Sequence, residues 1–396
     1  MRYRRFGRTE LQMPVLSCGG MRYQHKWGDA SPEEIPAEAQ ANLEATIHRA
    51  LELGINHIET ARGYGTSEMQ LGSVLPKIPR DKLIVQTKIG PHEDPEEFLK
   101  TFEKSMEYLQ LDRIDLLGFH GINTLELLDQ VVRKGGCMDV VRQLQREGRV
   151  RFVGFSTHGP CSTISQACET GEFDYMNVHW YFVNNLNWPS IEAATKQDMG
   201  VFIISPSDKG GRLYEPPPKL VELCAPLSPI GFNDLFCLNR PQVHTLSIGA
   251  ARPGDFDAHV ESLEFYDSIE ATIAPIEAKL RAEIEKDFGG EWLARWDAGL
   301  PEFEEVPGEI NVLEILRLYT YAKSLDLVAW GKERYNLLGN GGHWAPGQNA
   351  STLDDKLSEI APLLKSSPFA EKIPGFLRQA DEMLRGEEKK RLSQSE

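Results

Sequence analysis

The chain has 396 residues, of which 41% are hydrophobic, and its 43 lysines and arginines against 59 aspartates and glutamates give a net charge of −16 at neutral pH. That balance argues against a nucleic-acid partner, which needs a basic face to neutralise phosphates, and no apolar run approaches the ~20 residues of a membrane span. The composition has enough apolar side chains to bury a sizeable core.

Reading from the amino terminus, Met1 to Gln12 is basic but lacks the apolar stretch of a signal peptide, so a soluble cytoplasmic protein is expected. Tyr3 to Pro14, with Gly7-Arg8-Thr9 between two short alternating runs, reads as a hairpin. Eight apolar runs follow, each too short for a helix: Val15–Cys18, Ile55–Ile58, Leu83–Thr87, Ile114–Leu117, Val150–Phe155, Tyr175–His179, Val201–Ser205 and Val243–Ile248. Amphipathic stretches separate most of them. One is Ala41 to Leu53; another opens at Asp94-Pro95-Glu96-Glu97, with a cap, a proline at the first helical position and acids at the positive end of the dipole.

Strand then helix, repeated over this length, is the pattern of a (β/α)8 TIM barrel, preceded here by the hairpin. The competing doubly wound sheet carries a G-x-G-x-x-G after its first strand, and Cys18-Gly19-Gly20-Met21-Arg22 is not that. In such a barrel, chemistry sits at the carboxyl ends of the strands. That rule selects Glu59 and Tyr64, Lys88, His120, Ser156 to His158, Asn177 to Tyr181, Ser205 to Gly211 and Gly249 to Arg252.

After about residue 265 the strand rhythm stops. Ile269 to Trp296 is a long charged helical pattern broken at Gly289-Gly290, and a turn-rich link follows. Helical patterns then cover Val312–Ala322, Leu325–Leu338, Leu353–Leu364 and Ile373–Leu384, with a glycine-rich loop from Gly339 to Gln348 and a polar end, 387–396, expected to fray. The expected organisation is a barrel over 1–265, a helical linker over 266–308 and a small all-helical domain over 309–396. The six cysteines (Cys18, Cys137, Cys161, Cys168, Cys224 and Cys237) form no C-x-x-C, and none of the ten histidines forms a zinc-protease motif, so no metal site is expected.

The residues at the strand ends resemble those of the aldo-keto reductase superfamily. The likeness runs from Tyr3-Arg4-Arg5-Phe6-Gly7-Arg8-Thr9 through Gly54 to Gly65, Ser67-Glu68, Leu71-Gly72, Thr87-Lys88, Asp112 to Asp115 with His120, and Val153-Gly154-Phe155-Ser156. It continues to Ser205-Pro206 and Gly249 to Pro253, in family order. The resemblance implies an NAD(P)H-dependent reductase of aldehydes or ketones. Its catalytic tetrad maps onto Tyr64, Lys88 and His120, with Glu59 standing where the family has aspartate. On that reading Tyr64 donates the proton, Lys88 makes the phenol more acidic, Glu59 anchors the lysine and His120 orients the carbonyl. Singly, each has an ordinary reading: a turn tyrosine, a solvated lysine, a satisfied core histidine, a rim acid. Their joint order on successive strands singles them out.

The resemblance further implies cofactor contacts from Met21, Ser156, Thr157, Asn177, Ser205, Lys209, Gly211, Gly249, Arg252 and His259. The family habit favours NADP(H). NAD(H) stays possible, because Gly249 and Asp255 replace the family's lysine and arginine and leave Arg252 as the local cation for a 2′-phosphate. Trp180, Tyr181 and Phe182 line an apolar substrate pocket or, as readily, pack helix to barrel. The helical tail resembles that of a family branch with a ferredoxin-like iron–sulfur domain. Since no cysteine follows position 237, it reads as a degenerate version without an iron–sulfur cluster. The small-molecule carbonyl is the expected partner. A weakly catalytic, nucleotide-sensing barrel acting through a protein partner is the alternative.

Overall fold

The computed structural model describes residues 1–394; positions 395 and 396, the end of the tail expected to fray, lie outside the described residues. The chain divides into two compact units. One comprises Met1–Pro206 with Asn233–Asp267, and the other comprises Ser207–Phe232 with Ser268 onward. The segment after the seventh barrel strand thus groups with the helices of the tail.

In the first unit a two-stranded antiparallel hairpin, β1 (Tyr3–Arg5) and β2 (Gln12–Pro14), precedes eight parallel strands. These are β3 (Leu16–Gly19), β4 (His57–Glu59), β5 (Ile84–Ile89), β6 (Ile114–His120), β7 (Val150–Ser156), β8 (Tyr175–Val178), β9 (Gly200–Ile203) and β10 (Thr245–Ile248). They pair in sequence order, and β10 closes on β3, giving the expected (β/α)8 barrel. The strands are apolar along most of their length because helices cover their outer face while side chains fill the interior. Two boundaries move for local reasons. The expected strand Val201–Ser205 stops at Ile203, ahead of Ser205, whose φ of 53° leaves extended space. The helix expected from Ala41 starts at Ala37, immediately after Pro36, whose fixed φ suits a helix entry.

The hairpin plugs the amino-terminal end of the cylinder. Phe6, fully buried, packs with Met13, Ile84, Leu116, Tyr175 and Phe202. Gly200 makes room for it, since a Cβ there would lie 2.6 Å from the Phe6 ring. Polar side chains adjoin this apolar plug: Ser17 Oγ lies 2.7 Å from both His57 Nδ1 and Thr245 Oγ1.

The second unit is helical, with Ile269–Phe288, Val312–Leu325, Val328–Tyr335, Leu353–Ile360 and Ile373–Leu384 as its longer helices. The helix expected from Leu325 begins instead at Val328, because Asp326 adopts a left-handed φ of 60° and ends the preceding one. Its core is aromatic: Trp292 stacks on Phe288 at 4.9 Å, meets Phe376 edge-on at 5.3 Å, and donates its indole N–H to Thr320.

The buried histidine of the barrel interior generates a pH prediction. Burial pushes the His57 imidazole down to about 3, while an unfolded chain's imidazole titrates near ~6.5. Between those values the unfolded state binds the extra proton, so stability falls as pH falls. Near pH ~4 this one group is expected to cost on the order of 3 kcal/mol. Urea unfolding against pH should therefore slope more steeply for the native chain than for His57→Gln, and parallel curves would refute it.

Candidate active site

The strand register places the chemistry-bearing residues at one end. Gly19 pairs with Glu59 and Glu59 with Gln86. Lys88 pairs with Gly118, and one level higher His120, Ser156 and Asn177 lie side by side across β6, β7 and β8. Lys88 and Glu59 are almost wholly buried, and the Lys88 ammonium is in direct contact with Glu59 Oε1. It also donates to the Thr60 carbonyl at 2.8 Å. Glycine at 118 lets the lysine stem pass, for a Cβ there would come within 2.9 Å of Lys88 Cγ.

Tyr64 stands on the loop after β4. The loop is tied down by Thr60 N–H to Gln86 O at 2.8 Å and Tyr64 N–H to Ala61 O at 2.9 Å. Gly65 turns at a φ of 54° against the Lys26 carbonyl, an approach that only glycine permits. The Tyr64 ring centre lies 4.6 Å from Lys88 Nζ and 5.5 Å from the His120 ring, which meets it edge-on. Glu59, Lys88, Tyr64 and His120 are therefore brought together. Tyr64 and His120 are half-buried and line the open end.

Burial raises the Tyr64 phenol above its ordinary value and holds Lys88 well below its own, so desolvation opposes the acidifying effect expected of the ammonium. Desolvation disfavours both charged forms. The contact with Glu59 opposes it at the lysine. The phenol is thus held protonated across the neutral range, which is the state a proton donor requires.

The remaining candidates divide. Asn177 is fully buried; its Oδ1 accepts from Gln86 Nε2 at 3.3 Å, and its Nδ2 is a buried donor with no protein partner. Ser156 Oγ accepts from Gly121 N–H at 3.2 Å. Thr157 ties its own loop to the one after β6, donating to Ile122 O at 2.7 Å and accepting from Gly159 N–H at 3.0 Å, so it braces backbone. Met21 is half-buried just beyond β3, and Ser205 is half-exposed. Lys209 and Gly211 fall in the helical unit, where the Lys209 carbonyl accepts from the Trp330 indole at 3.1 Å and Asp208 pairs with Arg334. There, burial, aided by Arg334, holds the Lys209 ammonium well below its ordinary value.

Past β10, Gly249 lies beside Arg22, whose Cγ is 3.3 Å from where a Cβ would stand. Arg252 is 79% exposed and pairs with Asp255 at 3.1 Å. The other Asp255 oxygen accepts from the Ala251 and Arg252 amides at 2.8 and 3.2 Å. His259, expected near adenine, is buried and bonded through Nδ1 to Asp234 Oδ2 at 2.5 Å, a packing role. Trp180 stacks on Phe236 at 5.0 Å, and Tyr181 donates to Ile204 O at 2.6 Å; with Phe182 they are buried packing residues. Sequence reasoning missed Gln86 and the Thr60 carbonyl. The signal for Gln86 was available, since it precedes Lys88 by two on a strand and so shares its face. Among the described residues no cluster of three ligand-type side chains suits a metal ion, and no helix is long and apolar enough to cross a membrane.

Residues 15–211 match the profile of a family described as the aldo/keto reductase family. The chain is 32% identical over 159 residues to an L-galactose dehydrogenase from Arabidopsis thaliana, covering 37% of this chain and 49% of that protein. It is 26% identical over 156 residues to an NADH-specific methylglyoxal reductase from Escherichia coli (strain K12), covering 34% of this chain and 47% of that one. The chain thus spans about half the length of the curated relatives it matches. Among solved structures, the holo form of an aldo-keto reductase from Bacillus halodurans aligns with a TM-score of 0.59 at 19% identity, covering 70% of this chain and 96% of that one. That likeness is one of fold.

Removing one member of a buried ion pair strands the other charge. Glu59→Gln is expected to lower unfolding free energy by roughly 3–5 kcal/mol, whereas Glu59→Gln with Lys88→Met recovers most of it. Denaturant unfolding of both variants checks this, and equal losses would contradict it.

Proposed function

The chain belongs to the aldo/keto reductase superfamily, and on that premise we propose that it reduces aldehydes or ketones to alcohols with a nicotinamide cofactor, Tyr64 giving the proton. The observation that carries this reading is the juxtaposition of the buried Glu59–Lys88 pair with the Tyr64 ring, whose centre is 4.6 Å from Lys88 Nζ. A bound reduced nicotinamide would supply the hydride to the carbonyl carbon. Negative charge then develops on the carbonyl oxygen, and the protonated Tyr64 phenol meets it as general acid. The phenolate left behind lies beside the Lys88 side chain, whose charged form the Glu59 carboxylate favours against burial. His120, edge-on to the Tyr64 ring, is placed to donate to the same oxygen and fix its angle. The residues present fit the cofactor: the orphaned Asn177 Nδ2 is a donor awaiting an acceptor such as a carboxamide oxygen, with the Ser156 hydroxyl alongside.

The substrate class we favour is small and polar. The named relatives act on L-galactose and methylglyoxal, and Trp180, Tyr181 and Phe182 are buried against neighbouring side chains and backbone. On the nucleotide, the Asp255 carboxylate already satisfies two loop amides and neutralises Arg252. It occupies an anion's place with an anion, and it favours a 2′-hydroxyl over a 2′-phosphate. This turns the preference toward NADH, against the family habit.

Two outcomes test the reading. Tyr64→Phe is expected to cost ~10²- to 10⁴-fold in kcat while nucleotide binding, followed by quenching of protein fluorescence, stays unchanged; full turnover by this variant would remove Tyr64 as donor. With methylglyoxal as substrate, kcat/KM for NADH should exceed that for NADPH. Asp255→Asn should narrow the gap by about tenfold, the effect of ~1.4 kcal/mol, and an unaltered ratio would reject the role given to Asp255.

A further inference from the structure

We propose that the Arg62–Glu68 pair is a positioning device that fixes the spacing between Tyr64 and Lys88, acting on proton donation and not on nucleotide binding. The inference rests on the carbonyl-reduction reading above. Neither residue touches the reacting atoms.

Glu68 opens the short helix Ser67–Gly72 just behind the Tyr64 loop, and its side chain is wholly buried. Both carboxylate oxygens are engaged: Oε2 accepts from Arg62 Nη1 at 2.9 Å and Oε1 accepts from the Thr87 hydroxyl at 2.5 Å. Thr87 immediately precedes Lys88 on β5. Successive strand residues point to opposite faces, so Lys88 reaches inward to Glu59 while Thr87 reaches outward to Glu68. Arg62 precedes Tyr64 by two and donates its backbone N–H to the Lys88 carbonyl at 2.9 Å. The contacts close a ring: Tyr64 loop, Arg62, Glu68, Thr87, Lys88, and back to the Tyr64 ring at 4.6 Å. The outer side of the guanidinium lies 4.8 Å over the Tyr108 ring and pairs at the surface with half-exposed Asp29.

A stability role alone does not account for this arrangement. Buried ion pairs are weak stabilisers, because desolvation offsets the attraction and apolar replacements often serve as well. What the pair adds is direction. The planar guanidinium and a carboxylate with both oxygens bound restrict the loop far more tightly than packed methylenes. The restricted loop is the one whose placement within ~0.5 Å decides whether a donor works.

The test uses the full chain with Arg62→Met, Glu68→Gln, the milder Arg62→Lys, and Asp29→Asn. The readouts are methylglyoxal reduction, nucleotide affinity, and the ultraviolet difference titration of Tyr64 obtained against Tyr64→Phe. Arg62→Met and Glu68→Gln are expected to lose ~10- to 100-fold in kcat with nucleotide affinity unchanged. Their phenol should titrate lower, toward the ordinary ~10, as the loosened loop admits water. Arg62→Lys should recover part of both, and Asp29→Asn should behave as the native chain. Native kcat and native phenol titration in Arg62→Met would overturn the proposal, as would a parallel fall in kcat and nucleotide affinity. If Arg62→Met and Glu68→Gln do not fold, Arg62→Lys decides by the same titration, a native value counting against. A native chain that turns over no carbonyl compound sinks the function proposed above, and the phenol titration still judges the positioning role.

Discussion

A lysine ammonium held out of water by the barrel wall is the constraint around which the open end is organised. Lys88 is nearly inaccessible, and burial alone drives it toward neutrality. The Glu59 carboxylate and the Thr60 carbonyl compensate it. In a medium of low effective dielectric such a contact is strong, yet the desolvation of two ions consumes most of the gain. The pair therefore contributes little net stability while fixing a charge at one point beneath the Tyr64 ring. A fixed, pre-oriented charge is what a developing phenolate needs, because no solvent has to reorganise around it.

The glutamate in place of the family aspartate fits this account. Its additional methylene brings the carboxylate into contact with the ammonium, and the neighbourhood is built of small residues that tolerate the longer arm. Gly19 faces it across the β3–β4 register, where a Cβ would lie 3.4 Å from Glu59 Oε2, and Gly118 frees the path of the lysine stem. Misplacement of a catalytic carboxylate is costly when the partner cannot follow; here both ends have room.

Much of the barrel was legible because its signals are local. Eight short buried runs, most of them followed by a helical pattern, appear close to their expected places, and the strand-end rule selected Glu59, Lys88 and His120 without knowledge of their contacts. What escaped depends on pairings distant in sequence. That His259 bonds to Asp234, that Asp255 folds back on its own loop amides, and that Thr157 braces the turn after β6 are consequences of side-chain direction, which spacing does not encode. The desolvation acting on the Tyr64 phenol escaped for a related reason: proximity to a cation is readable from order along the strands, whereas burial is a property of the assembled barrel.

The polar interior carries the argument one step further. A (β/α)8 core filled by branched apolar residues is the usual solution, and the amino-terminal third of this barrel follows it around Phe6. Beside that plug, Ser17, His57, Gln86 and Asn177 occupy buried positions, and several of their polar atoms lack protein partners. Each such atom costs ~1–3 kcal/mol if it stays unsatisfied, a cost a scaffold without function would shed by substituting valine or leucine. Gln86 holds the Asn177 amide by its oxygen and so turns the amide nitrogen free for a guest. That nitrogen lies on β8 near its carboxyl end, beside Ser156 across the register and at the same end of the barrel as Lys88.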